Sequence, residues 1–183
     1  MHPSVVRGSV ATLAMKIQVS TQGRTARTPG RNAIKAAARA MLDALSLGDV
    51  ELSVLLCDDA TIHALNRDYR KKNRPTDVLA FAMREGEGAE VAGDMLGDIV
   101  ISTQTAARQA SEHGHSLSME MYTLLAHGLL HLLGWDHRND AEDRRMRREV
   151  GRLVACVPGN EPLGKTRMAS APVKKQTKKK PAR

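Results

Sequence analysis

The sequence predicts an α+β fold, a small mixed four-stranded β-sheet covered by about five helices. Three observations predict it. Short β-branched apolar runs such as VELSVLLC (50–57) and LGDIVIS (96–102) fall between longer segments of helical periodicity, in the order βαβαββααα. The 183 residues suit one domain, large enough to bury roughly two thirds of the surface its unfolded chain would expose. Phe81, Tyr69, Tyr122 and Trp135 are the only aromatics, so the core must be aliphatic.

The first strand is MKIQVS (15–20), followed by a Gly/Thr/Pro loop and an Ala-rich helix, 32–46, that ends near Gly48. VELSVLLC (50–57) is a buried strand by length and flanks. Asp58 or Asp59 caps a helix over 60–70, with Ile62, Leu65 and Tyr69 on one face. KKNRPTD breaks that helix, because Pro75 drives Arg74 out of the α region. Strands 78–83 and 96–102 are joined by the Gly/Glu-rich loop 85–94. A helix over 103–112 stops at the HGH break, 113–115, and an apolar helix spans 118–133. Asn139, with Glu142 three residues on, forms a capping box for a last helix, 140–156, which stops at Pro158–Gly159. The domain is therefore expected over 15–159, after a flexible N-terminal extension, 1–14, and before a basic tail, 160–183.

Charge separates these regions. Residues 1–42 hold seven Lys/Arg and no acid, 43–164 hold thirteen against twenty Asp/Glu, and 165–183 hold eight and no acid. The tail has almost no apolar content to offset ordering entropy and is expected to be disordered. It serves as a solubilising end or adds affinity for a phosphate backbone. The acid-free N-terminus has the composition of an organellar transit peptide, but the strand at 15–20 and the helix at 32–45 belong to the domain. Cys57 and Cys156 both lie in apolar stretches and are expected to be buried thiols, which excludes a disulfide scaffold and a cysteine-built zinc site. No apolar run reaches the roughly 18 residues a membrane span needs, so no membrane partner is expected, and the two thiols suggest a reducing compartment, the cytoplasm.

HGLLHLLGWDH (127–137) concentrates three of the seven histidines on a leucine-rich stretch. A buried imidazole needs a partner at each nitrogen, so this placement is costly unless a shared ligand satisfies them. His127 and His131 are four apart and face one way on a helix. Gly134 can then reverse the chain and bring His137 back toward the helix end. Three neutral imidazoles on one point make a zinc site on a central helix and the following turn, with a fourth position for water. The same spacing frames a class of zinc proteases, in which the residue after the first histidine is the general base Glu. Here it is Gly128, which cannot take a proton, so a protease is a poor alternative. Asp136 is a nearby carboxylate that could orient an imidazole or move a proton. His113 and His115 form an H-x-H pair in a polar turn and are read as exposed histidines.

This segment resembles the H-G-x-L-H-L-x-G-Y/W-D-H signature of YbeY-type bacterial endoribonucleases. The resemblance extends to LNRDYRKKNRPTDVLAF (65–81) and LGDIVIS (96–102), and the family's domain fits roughly residues 15–157. It implies a single-strand-specific endoribonuclease with one Zn2+ per chain on His127, His131 and His137, acting in rRNA maturation, at the 3′ end of the small-subunit rRNA, and in ribosome quality control. Its implied partners are single-stranded RNA, rRNA and the small ribosomal subunit; protein partners stay open. Arg70 corresponds to the arginine the family needs for cleavage, and a fixed guanidinium suits a phosphodiester's charge on physical grounds as well. Lys71, Lys72 and Arg74 are candidates for flanking phosphates. Asn73 replaces the usual Asp, Ala80 the usual Ser, and Ala82 stands where a Pro often follows the Phe. A non-catalytic ribosome-assembly factor with structural zinc is the alternative.

Overall fold

The computed structural model describes residues 15–83, 94–136 and 139–160. Its elements run β1 (Lys16–Thr21), α1 (Arg31–Ala44), β2 (Glu51–Cys57), α2 (Asp59–Arg70), β3 (Val78–Ala82), β4 (Met95–Ser102), α3 (Thr103–His113), α4 (Leu117–Leu132) and α5 (Asp140–Ala155). Four strands form one mixed sheet in the order β1-β2-β4-β3. The β1–β2 and β2–β4 pairs are parallel, and β3 returns antiparallel to β4. The expected α+β architecture is what the chain adopts.

Strand alternation divides the core between the two faces of the sheet. Leu52, Val54 and Leu56 of β2 and Leu96, Ile99 and Ile101 of β4 enter the large cluster, with Ile34, Met41 and Leu42 of α1. Cys57, Leu79 and Val100 point the other way and pack with Ile62 of α2 in a small cluster. Helix α4 lies in the large cluster and is buried almost all round, from Met121 through Leu132. A helix apolar on every side is one that neighbours enclose. Here β3, β4, α3, α5 and α1 all pack against it.

Capping sets the helix starts. Asp58, not Asp59, caps α2, its carboxylate accepting from Thr61 N at 2.9 Å. Ser102 caps α3, Ser116 caps α4, and Asn139 caps α5 by accepting from Ala141 N and Glu142 N. Asp59 instead accepts from Thr105 Oγ1 at 2.7 Å and Arg108 at 2.8 Å, tying the start of α2 to α3.

Two expectations about burial are corrected. Tyr69 shares a helix face with Ile62 by spacing but is 69% exposed, and the buried positions of α2 are Ile62 and Asn66. Its ring meets Phe81 edge-on at 5.5 Å. Cys156 is exposed, not buried. The apolar stripe of α5 is Met146, Val150, Leu153, Val154 and then Val157, and position 156 falls off it. The extension 1–14, the loop 84–93, His137–Arg138 and the tail from 161 lie outside the described residues. Asn160 is tied to the domain, its Nδ2 donating to Val154 O at 3.1 Å.

Candidate active site

His127 and His131 project from the same side of α4, one turn apart, with ring centroids 4.5 Å apart and planes crossing at 84°. Their Nε2 atoms approach to 3.0 Å. Bonds of 2.0–2.1 Å to a tetrahedral zinc ion place two nitrogens about 3.3–3.4 Å apart. A small rotation of either ring closes that gap, so the two imidazoles fit a shared metal. After Leu132 the chain reverses as the sequence anticipates. Gly134 takes φ +77, and Gly134 N and Trp135 N donate to His131 O and Leu130 O, each at 3.0 Å. This is the left-handed glycine turn that closes a helix end. It leads through Asp136 toward His137, which lies outside the described residues.

Both histidines line a cleft of about 1000 Å³ between α4, β3 and the segment after α2. Arg70, Lys72, Arg74, Asp77, Phe81, Trp135 and Asp136 line it too. Arg70 ends α2, and its guanidinium Nη2 donates to Ala80 O on β3 at 2.8 Å. Lys71 then takes a left-handed conformation, φ 57. Its Nζ donates to Asp68 O at 2.8 Å, and it does not line the cleft. The buried side chain of Asn66 donates to Arg74 O at 2.7 Å, which holds the turn carrying Lys72 and Arg74 against the cleft. Of the cationic candidates, the structure brings Arg70, Lys72 and Arg74 to the histidines and leaves Lys71 aside.

One line of contacts fixes the arginine relative to the histidines. Ala80 is paired with Ile99 across β3 and β4. A Cβ on Gly128 would come within 2.9 Å of Ile99 Cγ2, so α4 can lie this close to β4 only with glycine there. The residue after His127 is therefore glycine for packing. A protease base has no room at that position.

Asp77 adds a carboxylate to the cleft lining, in addition to that of Asp136. Burial works to raise its carboxyl pKa, but bonds from Gln109, Val78 N and Thr76 outweigh it and hold the group below the ordinary value. Neither Asn66 nor Asp77 was singled out from sequence. Asn66 lies within α2 and Asp77 closes the KKNRPTD break, and neither signal shows which polar group turns inward.

His113, His115 and Glu120 form a second cluster of metal-type side chains at the opposite end of α4, outside the cleft lining.

A family model described as "Endoribonuclease YbeY" matches residues 17–157. The chain belongs to that family. Curated YbeY endoribonucleases similar to it include one from Pelotomaculum thermopropionicum, 51% identical over 126 residues, covering 64% of this chain and 82% of the relative. Another, from Geobacter sulfurreducens, is 41% identical over 144 residues, covering 77% of this chain and 96% of the relative. The solution structure of the Thermotoga maritima protein TM1509 is similar at a TM-score of 0.55 and 25% identity, covering 82% of this chain and 99% of that one. An endoribonuclease is a hydrolase that cuts phosphodiester bonds within RNA. The three departures from the YbeY pattern leave the cleft intact. Asn73 Oδ1 pairs with His63 Nε2 at 2.8 Å, and Ala82 ends β3. Ala80 turns its methyl into the core, while its carbonyl, not a side chain, holds Arg70.

Proposed function

We propose that this chain is a zinc-dependent, single-strand-specific endoribonuclease that matures rRNA at the 3′ end of the small-subunit RNA and serves ribosome quality control in the cytoplasm. Two imidazoles at metal-sharing separation meet a tethered arginine in one cleft, in a chain of the YbeY endoribonuclease family. That observation carries the proposal.

His127 and His131 would hold the metal with His137, and the donor set suits zinc. Zinc bound there supplies Lewis acidity toward a phosphoryl oxygen and brings the pKa of water toward neutrality. The rest falls to the chain's own side chains. Ala80 O occupies one edge of the Arg70 fork and leaves its other N–H donors for the scissile phosphate, where charge grows in the transition state. Lys72 and Arg74 take flanking phosphates from the same wall. Lys71 contributes to attraction at longer range. Asp136 orients an imidazole or accepts a proton during hydrolysis.

Recognition is backbone-led. Phe81 and Trp135 are the aromatics lining the cleft, few for base readout but suited to an unpaired base that can stack. Specificity then comes from the ribosomal particle that presents the RNA. The domain spans 15–159, and the eight Lys/Arg of 165–183 add phosphate affinity.

The test is cleavage of a short unstructured RNA by the full chain, with metal analysis, before and after chelation. Chelation should stop cleavage and zinc should restore it, and His131→Ala should remove the activity with one zinc equivalent. Undiminished cleavage by the metal-free chain would refute the zinc mechanism. No cleavage by the zinc-loaded wild type on any single-stranded RNA, or on ribosomal particles, would favour an assembly factor.

A further inference from the structure

Helix α3 ends at His113, Gly114 takes φ +70, and Ser116 caps α4 by accepting from Met119 N. Gly114 N and His115 N close the corner onto Ser111 O and Ala110 O. This tight turn swings His113 and His115 onto Glu120, one turn into α4. His113 Nδ1 lies 3.3 Å and His115 Nε2 3.0 Å from the same oxygen, Glu120 Oε2. All three donor atoms lie within 4.8 Å of one another.

The tautomer of His115 decides what occupies the centre. Its Nδ1 is 3.2 Å from the Ser116 carbonyl, an acceptor only, so Nδ1 carries the hydrogen. In the neutral ring, Nε2 is then a bare lone pair facing a carboxylate oxygen at 3.0 Å. Two acceptors at that distance repel unless a proton or a metal cation lies between them, and a third donor atom, His113 Nδ1, converges on the same oxygen. The Glu120 side chain is 5% exposed, which makes an unscreened contact of this kind costly. A backbone carbonyl on the far nitrogen is also the usual outer partner of a metal-bound histidine. The separations of 3.0 and 3.3 Å fall at or just below the edge of a tetrahedral zinc site, about 3.3–3.4 Å. The His113 and His115 side chains are 56% and 31% exposed, which leaves solvent to complete the coordination.

We propose that His113 Nδ1, His115 Nε2 and Glu120 Oε2 form a second divalent-metal site, of zinc type, that pins the α3–α4 corner. Glu120 and His127 are seven residues apart on one helix, about 10 Å along its axis. Two-metal phosphoryl chemistry needs ions about 3.5–4 Å apart, so the second ion is structural and separate from the cleft. This inference does not depend on the cleft's proposed role.

Zinc binding to the full chain, stripped with chelator and then titrated with zinc against a chromophoric competitor, tests the site. Wild type should bind about two equivalents, and His127→Ala/His131→Ala should keep about one. Adding His113→Ala/His115→Ala to that variant should remove the remaining equivalent and the rise in Tm that zinc confers. Glu120→Gln in the His127→Ala/His131→Ala chain, which preserves shape and removes the charge, should weaken the remaining site at least tenfold. A His127→Ala/His131→Ala chain that is folded and binds no zinc overturns the proposal. So does residual zinc that survives loss of both corner histidines, or that is indifferent to Glu120→Gln. Neither result bears on RNA cleavage, which fails or survives with His131.

Discussion

Gly128→Ala adds one methyl group, and its effect can be worked out from the contact it creates. The new Cβ would stand 2.9, 3.2 and 3.3 Å from Ile99 Cγ2, Cδ1 and Cγ1. Carbon atoms in good contact sit about 3.5–4.0 Å apart, so the helix or the isoleucine must give by roughly half an ångström. Ile99 is fully buried in β4, with Val54 beside it on β2 and Ala80 on β3, and its branched χ1 is stiff. The helix is therefore the part that moves. Overpacking of this kind costs about 1–3 kcal/mol, while alanine gains about 1 kcal/mol over glycine in a helix interior. With a rigid strand opposite, the clash prevails, and urea unfolding should show a loss of about 1–2 kcal/mol. Movement of α4 away from the sheet also shifts His127 and His131 relative to Arg70, which stays with Ala80 O. Cleavage in single-turnover assays should fall on the order of tenfold, more than the stability loss alone would produce in a chain still fully folded. Ile99→Ala relieves the contact at its own cost of about 2–5 kcal/mol, so the double variant should be more stable than the sum of the singles by about 1–3 kcal/mol. Additivity within about 0.5 kcal/mol, or a Gly128→Ala chain with wild-type stability and rate, would refute the close-packing argument.

Arg70→Lys keeps the charge but loses the fork that can hold Ala80 O and a phosphate together. RNA affinity should change little, while the single-turnover rate falls by the equivalent of roughly 2–4 kcal/mol; a wild-type rate would mean a point charge suffices. Asp77, whose folded-state carboxyl sits below its ordinary value, contributes stability that is full above the unfolded Asp pKa of about 3.9 and is lost as pH falls through the folded one. The stability gap between wild type and Asp77→Asn should therefore narrow as urea midpoints are followed from pH 7 into acid, and a constant gap would remove Asp77 from the acid limb. Burial, with Asp58 and Asp59 adding to it, pushes the Cys57 thiol up to about 12, whereas Cys156 is exposed. A thiol reagent at neutral pH should label Cys156 in the native chain and Cys57 only after denaturation, as peptide mapping would show.

The element boundaries were legible because local signals agreed. Apolar stripes at helical spacing in α1 and α5, β-branched runs in β2 and β4, and the caps at Asp58 and Asn139 each point to the element that forms. Sheet order was not legible, since β4 inserts between β2 and β3 through pairings far apart in sequence. The exposure of Tyr69 had the same origin. Helical spacing placed it on a face with Ile62 and Leu65, but how deeply each turn of that face packs is a tertiary fact. The histidines on α4 were readable from spacing alone, because four residues are one turn. Glu120 was not, although a lone acid just inside a capped, apolar helix, five residues after a histidine, was a signal available to find it.

The arginine illustrates why a motif can persist while its side chains change. Arg70 sits on the exposed last turn of α2, and what locates it is a backbone oxygen, Ala80 O. Where the family pattern has serine at position 80, alanine presents the same carbonyl in the same antiparallel register. The hydroxyl is therefore dispensable for placing the guanidinium. Ala80 is set by Ile99, Ile99 by the glycine it packs against, and that glycine is the neighbour of His127. Each step is a backbone pairing or a core contact. The separation between the arginine and the imidazoles is thus carried by the sheet and one helix, the least compliant parts of the molecule, and not by the loops that supply the cleft's other charges. Substitutions in Lys72 or Arg74 should accordingly change affinity and its salt dependence, whereas changes at Ile99 or Gly128 reach the rate.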